Sequence, residues 1–287
     1  MPGDVNFDLT KPVTTLIEKI SNGVGILYEP KRIKRNAQAE GEALIIVAKA
    51  RVKADSIEER AVQRLVKEES RRQENIESVI GKALPEVINT ATPDDIEDDW
   101  LANFFDKSKN ISDTEMQNVW SRLLAGEANN PGTFSKRTIN LLAELDKKDA
   151  ILFTNLSQFS ITIYNGHTNP YIDDVQRAIY SDSGIDFGAL QHLDSLGLIK
   201  FDAIGGFSIG QPGQKGGSFL VEYNKDKFWV KVPDEQDLKL SAGHVMYTKQ
   251  GLELLSICSP ENNKAFLVYL KENIVKKGAT LVDFKKS

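Results

Sequence analysis

The sequence predicts a mainly α-helical protein with a small α+β part, in which N-terminal long helices and a helical bundle precede a winged-helix-like C-terminal domain. Two observations carry this prediction. Through the first half of the chain, apolar residues recur every three or four positions, the spacing of amphipathic helices. Beyond about residue 165, short β-like runs alternate with glycines. The predicted divisions are residues 1–85 for the N-terminal amphipathic and long helices, 86–164 for the helical bundle and 165–287 for the winged-helix-like domain.

Composition and charge indicate a globular protein without a transmembrane helix. The 287 residues are 40% apolar and 27% charged, which is ordinary for a globular protein. The net charge of −5 argues against a surface built throughout for nucleic acid or an anionic membrane. We expect a cytoplasmic protein, since Cys258 has no disulfide partner and no secretory leader is recognisable. The longest apolar run, residues 43–48, is far shorter than the roughly 20 residues of a transmembrane helix.

The first predicted helix covers residues 13–28, where Gly23 and Gly25 interrupt the helical spacing of the apolar residues. We expect a bent or broken amphipathic helix. Such a helix either packs on the rest of the protein or offers a surface to a membrane or a partner, and the first role is the commoner one.

The segment between the prolines at positions 30 and 85 predicts one long helix or a helical hairpin. Four consecutive apolar residues at 44–47 point in every direction around a helix, so one intramolecular face cannot bury them all. We therefore predict a coiled-coil-like contact that makes the protein a homo-oligomer. A hairpin packed on the bundle is the alternative. The predicted interface consists of Leu44, Ile45, Ile46, Val47, Ile57 and Leu65.

The predicted bundle is acidic, since residues 85–149 contain thirteen Asp or Glu against seven Lys or Arg. Several helix starts can be recognised in it. Thr92 and Pro93 suit the N-cap and first position of a helix, with carboxylates following at the positive end of its dipole. Ser112 opens a capping box, and Ser135 can cap a further helix.

The C-terminal segment predicts helices and a small sheet. We expect helices near residues 171–180 and 186–196, then two final helices capped by Thr248 and by Ser259, with Gly278 ending the last. The glycine-rich stretch 205–217 is predicted as a flexible wing between strands. The predicted strands are residues 198–201, 219–223, 228–232 and 245–248.

No catalytic, cofactor-binding or metal-binding residues are predicted, and we expect a protein that is not an enzyme. The acidic run 94–99 lacks the turn glycine and distal Glu of a calcium loop, and helix-dipole compensation explains it. The glycines of 205–217 lack the Gly-Lys-Ser/Thr ending of a phosphate-binding loop. We expect structural or surface roles for the histidines, which are His167, His192 and His244.

Nucleic-acid binding by a winged-helix regulator is the disfavoured alternative. Residues 31–72 contain twelve Lys or Arg against seven Asp or Glu, so this segment could contact phosphates. The predicted second helix, 186–196, carries no Lys or Arg, so it is poorly suited to binding bases in the major groove of DNA. The residues of this alternative are Lys31, Arg32, Lys34, Arg35 and Lys215.

A pattern of mostly Trp, Phe, Leu, Pro and Gly residues extends over much of the chain and consists of Trp100 to Phe105, Ile111-Ser112-Asp113, Gln117, Trp120, Leu123-Leu124-Ala125-Gly126-Glu127, Pro131-Gly132, Ser135, Arg137-Thr138, Leu141, Leu145, Asp149-Ala150 to Phe153, Leu193, Leu196 to Ile199, Tyr247-Thr248, Gly251 and Leu254-Leu255. Through this pattern, the chain resembles a bacterial family classed as domain of unknown function 2806. Its N-terminal helices are more loosely similar to abortive-infection alpha-type proteins. The resemblance implies a setting in phage defence and assigns no catalytic residue. Arg137, a polar residue among the matching positions, is expected to pair with a carboxylate of the acidic segment.

Together these observations predict a non-enzymatic, self-associating protein, and the resemblance implies that it is a sensor or scaffold in antiviral defence. Its N-terminal helices would assemble copies of the chain, and its C-terminal part would contact a protein partner.

Overall fold

A computed structural model describes residues 10–26, 28, 57–163, 166–260 and 262–284. The chain divides into two compact units, Met1–Ala143 and Glu144–Ser287. The three-part division at residues 85 and 164 stays a prediction. No helix of the described ranges has the length and apolar content to cross a membrane.

The N-terminal unit is built from helices around an aromatic core. Trp100 stacks on Phe104 with ring centroids 5.2 Å apart, and Phe104 meets Trp120 edge-on at 5.3 Å. The first helix packs inward through Leu16 and Ile20, both fully buried. The described helices are α1 (Lys11–Val24), α2 (Ile57–Ala83), α3 (Asp98–Ser108), α4 (Thr114–Asn129) and α5 (Lys136–Glu144), with 3₁₀ turns at Leu84–Glu86 and Pro93–Asp95.

Two helix starts in this unit differ from the prediction. Pro93 begins only a 3₁₀ turn, and α3 starts later, at Asp98. Asp113, not Ser112, caps α4 by accepting hydrogen bonds from the backbone N–H groups of residues 115 and 116. The Ser112 hydroxyl instead accepts the side-chain amide of Asn75 at 3.1 Å, a contact 37 residues away in sequence.

The C-terminal unit combines helices with two antiparallel sheets. The elements are α6 (Lys147–Ser157), β1 (Ser160–Ile163), β2 (His167–Pro170), α7 (Ala178–Ser181), α8 (Phe187–Ser195), β3 (Ile199–Phe201), β4 (Phe207–Tyr223), β5 (Asp226–Gly243), β6 (Val245–Tyr247), α9 (Lys249–Leu255), α10 (Lys264–Lys276) and β7 (Thr280–Asp283). A five-stranded sheet has the order β2-β1-β4-β5-β7, and β3 pairs with β6 separately.

The predicted mainly α fold with a winged-helix-like C-terminal domain is wrong. Strands β4 and β5 form a hairpin of 17 and 18 residues, far longer than a wing. The glycine-rich stretch 205–217 is not a flexible wing, because most of its glycines lie inside β4. At Gly210, an added Cβ would lie 2.0 Å from the carbonyl oxygen of Leu238, so the facing strand comes too close for any side chain. The pairing register shifts between Gly210 and Gly217, as in a bulged hairpin.

The helix predicted near residues 171–180 is also wrong, because only Ala178–Ser181 is helical. An Asx turn precedes it, in which the Asp174 carboxylate accepts the backbone N–H of Gln176 at 3.0 Å. Asn263, not Ser259, caps α10 by accepting the N–H of Phe266 at 3.0 Å. The predicted cap of α9 is confirmed, since the Thr248 hydroxyl accepts the N–H of Gly251 at 3.0 Å.

Candidate functional site

The predicted interface lies partly within the described chain. Ile57 and Leu65 lie in the N-terminal half of α2, where 72% and 57% of their surface is exposed. The other predicted interface residues, Leu44, Ile45, Ile46 and Val47, lie outside the described residues. The described part of the predicted interface therefore consists of two exposed apolar residues on one helix.

The residues predicted for nucleic-acid contact are not brought together. Lys31, Arg32, Lys34 and Arg35 lie outside the described residues. On β4, the Lys215 ammonium is 2.7 Å from the Asp237 carboxylate, and this contact lowers the pKa of Asp237. Lys215 is thus engaged by a carboxylate on the facing strand rather than presented alone to a phosphate.

Other polar residues singled out in the sequence have partners on neighbouring elements. His192 Nε2 lies 2.7 Å from Asp149 Oδ1, and His244 Nδ1 lies 2.7 Å from the carbonyl oxygen of Asp202. In the first turn of α5, Lys136 rather than the predicted Arg137 forms the ion pair with the acidic segment, at 3.5 Å from Asp99. Within the described ranges, no group of three or more His, Cys, Asp or Glu side chains could hold a metal ion.

A cluster that the sequence analysis missed surrounds Asp173, whose side chain is only 6% exposed. Its carboxylate accepts hydrogen bonds from the hydroxyls of Tyr180 at 2.8 Å and Tyr269 at 2.6 Å. It also accepts the side-chain amide of Asn273, and the Arg177 guanidinium lies 3.5 Å away. These contacts satisfy both carboxylate oxygens, so the group has little capacity to act as a proton acceptor.

The protonation states of the cluster follow from these contacts. Burial alone would raise the pKa of Asp173, but the hydrogen bonds from Tyr269, Tyr180 and Asn273 outweigh burial and lower it. Burial, with the nearby Asp173 charge, raises the pKa of Tyr269 to about 12 and raises that of Tyr180 further. The cluster therefore holds one ionised carboxylate and neutral phenols near pH 7.

One face of α10 connects this cluster to a cavity. Tyr269, Asn273 and Lys277 follow at four-residue intervals, so they line one side of the helix and its end. The Lys277 ammonium donates a hydrogen bond to the Tyr171 hydroxyl at 3.1 Å and lies 5.4 Å from the centre of the same ring. Burial of the amino group lowers the pKa of Lys277, although the residue as a whole is exposed.

Tyr171 and Lys277 form part of the wall of a cavity of about 400 Å³. The bulged end of the β4–β5 hairpin and the end of α10 supply the rest of the wall. The polar residues that line the cavity carry ammonium, hydroxyl or amide groups, except Asp237. Among the described residues, the arrangement offers a ligand ammonium, hydroxyl and amide groups as hydrogen-bond donors. Its polar lining consists of Tyr171, Ser208, Gln236, Lys239, Ser241 and Lys277, with Asp237.

The sequence contains a weak signal for this site. Tyr171 and Asp173 alternate as on an extended segment, and α10 repeats polar residues every four positions. This alternation is incompatible with the helix predicted near residues 171–180. The pairing of Tyr171 with Lys277, 106 residues apart, could not be predicted from local pattern.

The comparison with protein families supports the predicted family resemblance. A family model described as "Protein of unknown function (DUF2806)" matches residues 59–271, from the start of α2 into α10. No curated protein and no solved structure matches the chain. The matched region includes the Asp173 cluster up to Tyr269 but stops before Lys277. The chain belongs to this DUF2806 family of proteins of unknown function.

Proposed function

We propose that this protein is a non-enzymatic interaction protein that self-associates through the N-terminal half of α2. The observation that carries the proposal is the exposure of Ile57, Val62 and Leu65 on one described helix. Exposed single apolar residues are common, but these three lie within nine positions of one helix, with Leu65 on the side of the helix between Ile57 and Val62.

The exposed residues continue the face that the same helix buries farther along. Val62 and Ile80 are eighteen residues apart, which is five turns of a helix, so they point in the same direction. Ile80 is fully buried, whereas Val62 is 38% exposed. Leu65 and Ile76 are close to three turns apart and therefore also point in nearly the same direction. Ile76 is buried, whereas Leu65 is exposed. The apolar face thus extends beyond the core of the unit, and a second copy of the helix would cover it.

The charges beside Leu65 suit pairing of the helix with itself. Glu58 and Arg72 lie seven residues before and after Leu65, so all three lie along one side of the helix. In an antiparallel pair with Leu65 near the two-fold axis, Glu58 of one copy faces Arg72 of the other, twice. Residues 57–72 carry four acids and five bases, a balance that favours self-pairing over binding to phosphates.

Sedimentation equilibrium of the full-length chain tests the proposal. Leu65→Asp should weaken self-association by about 1,000-fold, because each of the two copies loses a buried leucine, worth about 2 kcal/mol, and gains a carboxylate in the contact. Lys67→Asp is the matched control, since it introduces the same residue on the opposite side of the helix and should leave association unchanged. A monomeric wild-type protein at micromolar concentration would refute self-association.

A charge exchange tests the antiparallel arrangement. Glu58→Arg and Arg72→Glu should each weaken association, because each places like charges opposite one another in the pair. The double variant restores opposite charges and should recover association. Additive losses in the double variant would contradict this register while leaving self-association itself intact.

We place this assembly in antiviral defence, with support from the resemblance of the N-terminal helices to abortive-infection alpha-type proteins. Cells producing the wild-type chain should plate a panel of phages less efficiently than cells producing Leu65→Asp, and Lys67→Asp should behave as wild type. Affinity purification with nuclease treatment distinguishes the partner class. Protein partners that resist nuclease support an interaction protein, and co-purifying DNA would contradict it.

A further inference from the structure

The cavity beside Tyr171 and Lys277 has features that self-association through α2 does not use. Its volume of about 400 Å³ lies within the range of roughly 300–1,000 Å³ typical of small-molecule sites. We propose that it binds a small organic phosphate, with the Lys277 ammonium and the Tyr171 hydroxyl contacting the phosphate group.

The two central groups are arranged as hydrogen-bond donors. The Tyr171 hydroxyl accepts one hydrogen bond, from Lys277, and none of the described residues accepts its own proton. Burial raises the pKa of Tyr171, so the phenol keeps that proton near pH 7 and can donate it to an anion. Lys277 adds a positive charge with three donors, the usual way in which lysine binds phosphate.

Further donors and apolar groups define the class of ligand. Lys239, Ser208 and Ser241 also line the cavity, and Ser208 pairs with Ser241 in the register of β4 and β5. Donors on three segments suit an anion with three accessible oxygens better than a planar carboxylate with two. Leu240 and Ile274 contribute apolar surface, which suits an organic group attached to the phosphate.

Two carboxylates near the cavity are engaged by other groups. Asp173 accepts hydrogen bonds from Tyr180, Tyr269 and Asn273, and Asp237 is paired with Lys215. These pairings reduce their repulsion of a bound anion. The Asp173 cluster also fixes Tyr269 and Asn273, and with them the face of α10 that ends in Lys277.

Side-chain NMR of lysine ammonium groups in the full-length protein tests the site. The probes are sodium phosphate and adenosine 5′-monophosphate, with adenosine and sodium acetate as controls, all at constant ionic strength set by sodium chloride. We expect the Lys277 signal to shift with both phosphates, at lower concentration with the monophosphate, and not with adenosine. No shift of Lys277 with millimolar phosphate would overturn the proposal, and so would equal shifts with acetate.

Calorimetric titration with adenosine 5′-monophosphate then compares neighbouring lysines. Lys277→Gln should weaken binding about tenfold or more, because it removes the central charge. Lys276→Gln removes the same charge from the adjacent, exposed residue and should bind as wild type. Tyr171→Phe keeps the ring and should weaken binding less than Lys277→Gln. Equal affinities of Lys277→Gln and Lys276→Gln, with unchanged melting temperatures, would assign binding to a different place on the protein.

Discussion

The Glu127 carboxylate accepts the backbone N–H of Phe134 at 2.9 Å through one oxygen and that of Gly132 at 2.7 Å through the other. Glu127 is only 2% exposed, so this pair of contacts replaces solvation of a buried charge. The fixed loop in turn presents the carbonyl of Phe134 to the indole N–H of Trp100 at 2.7 Å. The loop between α4 and α5 is thereby joined to the aromatic core.

Glu127→Gln should destabilise the N-terminal unit by about 2–3 kcal/mol. The amide group of glutamine can accept through one oxygen only and would turn its NH₂ towards a backbone N–H, which leaves a buried donor unsatisfied. Urea unfolding followed by tryptophan fluorescence measures the loss. The exposed Glu144→Gln serves as the control and should change the unfolding free energy by less than about 0.5 kcal/mol. Equal effects of the two variants would contradict the role of the Glu127 contacts.

Gly126→Ala should also destabilise the protein, against the usual preference of helices for alanine over glycine. An added Cβ at Gly126 would lie 2.8 Å from the ring of Phe134, which is buried and has little room to move. Gly188 in α8 is the comparison, because its nearest neighbour would be at an ordinary 3.5 Å. Gly188→Ala should raise stability by up to about 1 kcal/mol. Thermal unfolding of both variants checks these opposite signs, and a stabilised Gly126→Ala would contradict them.

Asp173→Asn should lower the free energy of unfolding by about 3 kcal/mol at pH 7. The variant replaces a buried, hydrogen-bonded charge and turns an NH₂ group towards the groups that donate hydrogen bonds to Asp173. The pKa of Asp173 is lowered in the folded protein, so its charge stabilises the fold above the ordinary carboxyl value of 3.8. That contribution disappears as the pH falls through the lower, folded-state pKa. The difference between wild type and variant should therefore shrink from pH 7 to pH 3.

Urea unfolding at several pH values measures this difference. Asp174→Asn is the matched control, since the adjacent carboxylate is 48% exposed and should contribute less than about 1 kcal/mol. A wild-type advantage over Asp173→Asn that stays constant down to pH 3 would show that the ionised form of Asp173 is not the stabilising one.

The sequence permits prediction of those elements that depend on local signals. The helical spacing of α4 and the Thr248 cap of α9 depend on residues within a few positions of one another, and both were predicted. The long hairpin depends on the approach of Gly210 to Leu238, 28 positions away, so its glycines resembled a loop. The cavity depends on Tyr171 meeting Lys277, a contact without any local pattern. Errors therefore fall where distant segments determine the local structure.

The position of Tyr171 depends in part on Gly243, at the end of the β4–β5 hairpin. Gly243 has a φ of +83°, and an added Cβ would lie 2.6 Å from the carbonyl oxygen of Ile172. The same carbonyl accepts the backbone N–H of His244 at 2.7 Å. Since Ile172 stands between Tyr171 and Asp173, a shift of its backbone would move both side chains of the candidate site.

Gly243→Ala and Gly213→Ala separate this close approach from backbone strain. Gly213 has nearly the same φ, +81°, but an added Cβ there would meet nothing within 4 Å. In both variants the free energy of unfolding should fall by about 1–2 kcal/mol, because a residue with a side chain disfavours positive φ. Gly243→Ala should lower the free energy of unfolding by more than this amount, whereas Gly213→Ala should not. The backbone amide of His244 should exchange its hydrogen faster in Gly243→Ala only. Equal losses, with equal protection of that amide, would show that the hairpin end does not hold the Tyr171–Asp173 segment in place.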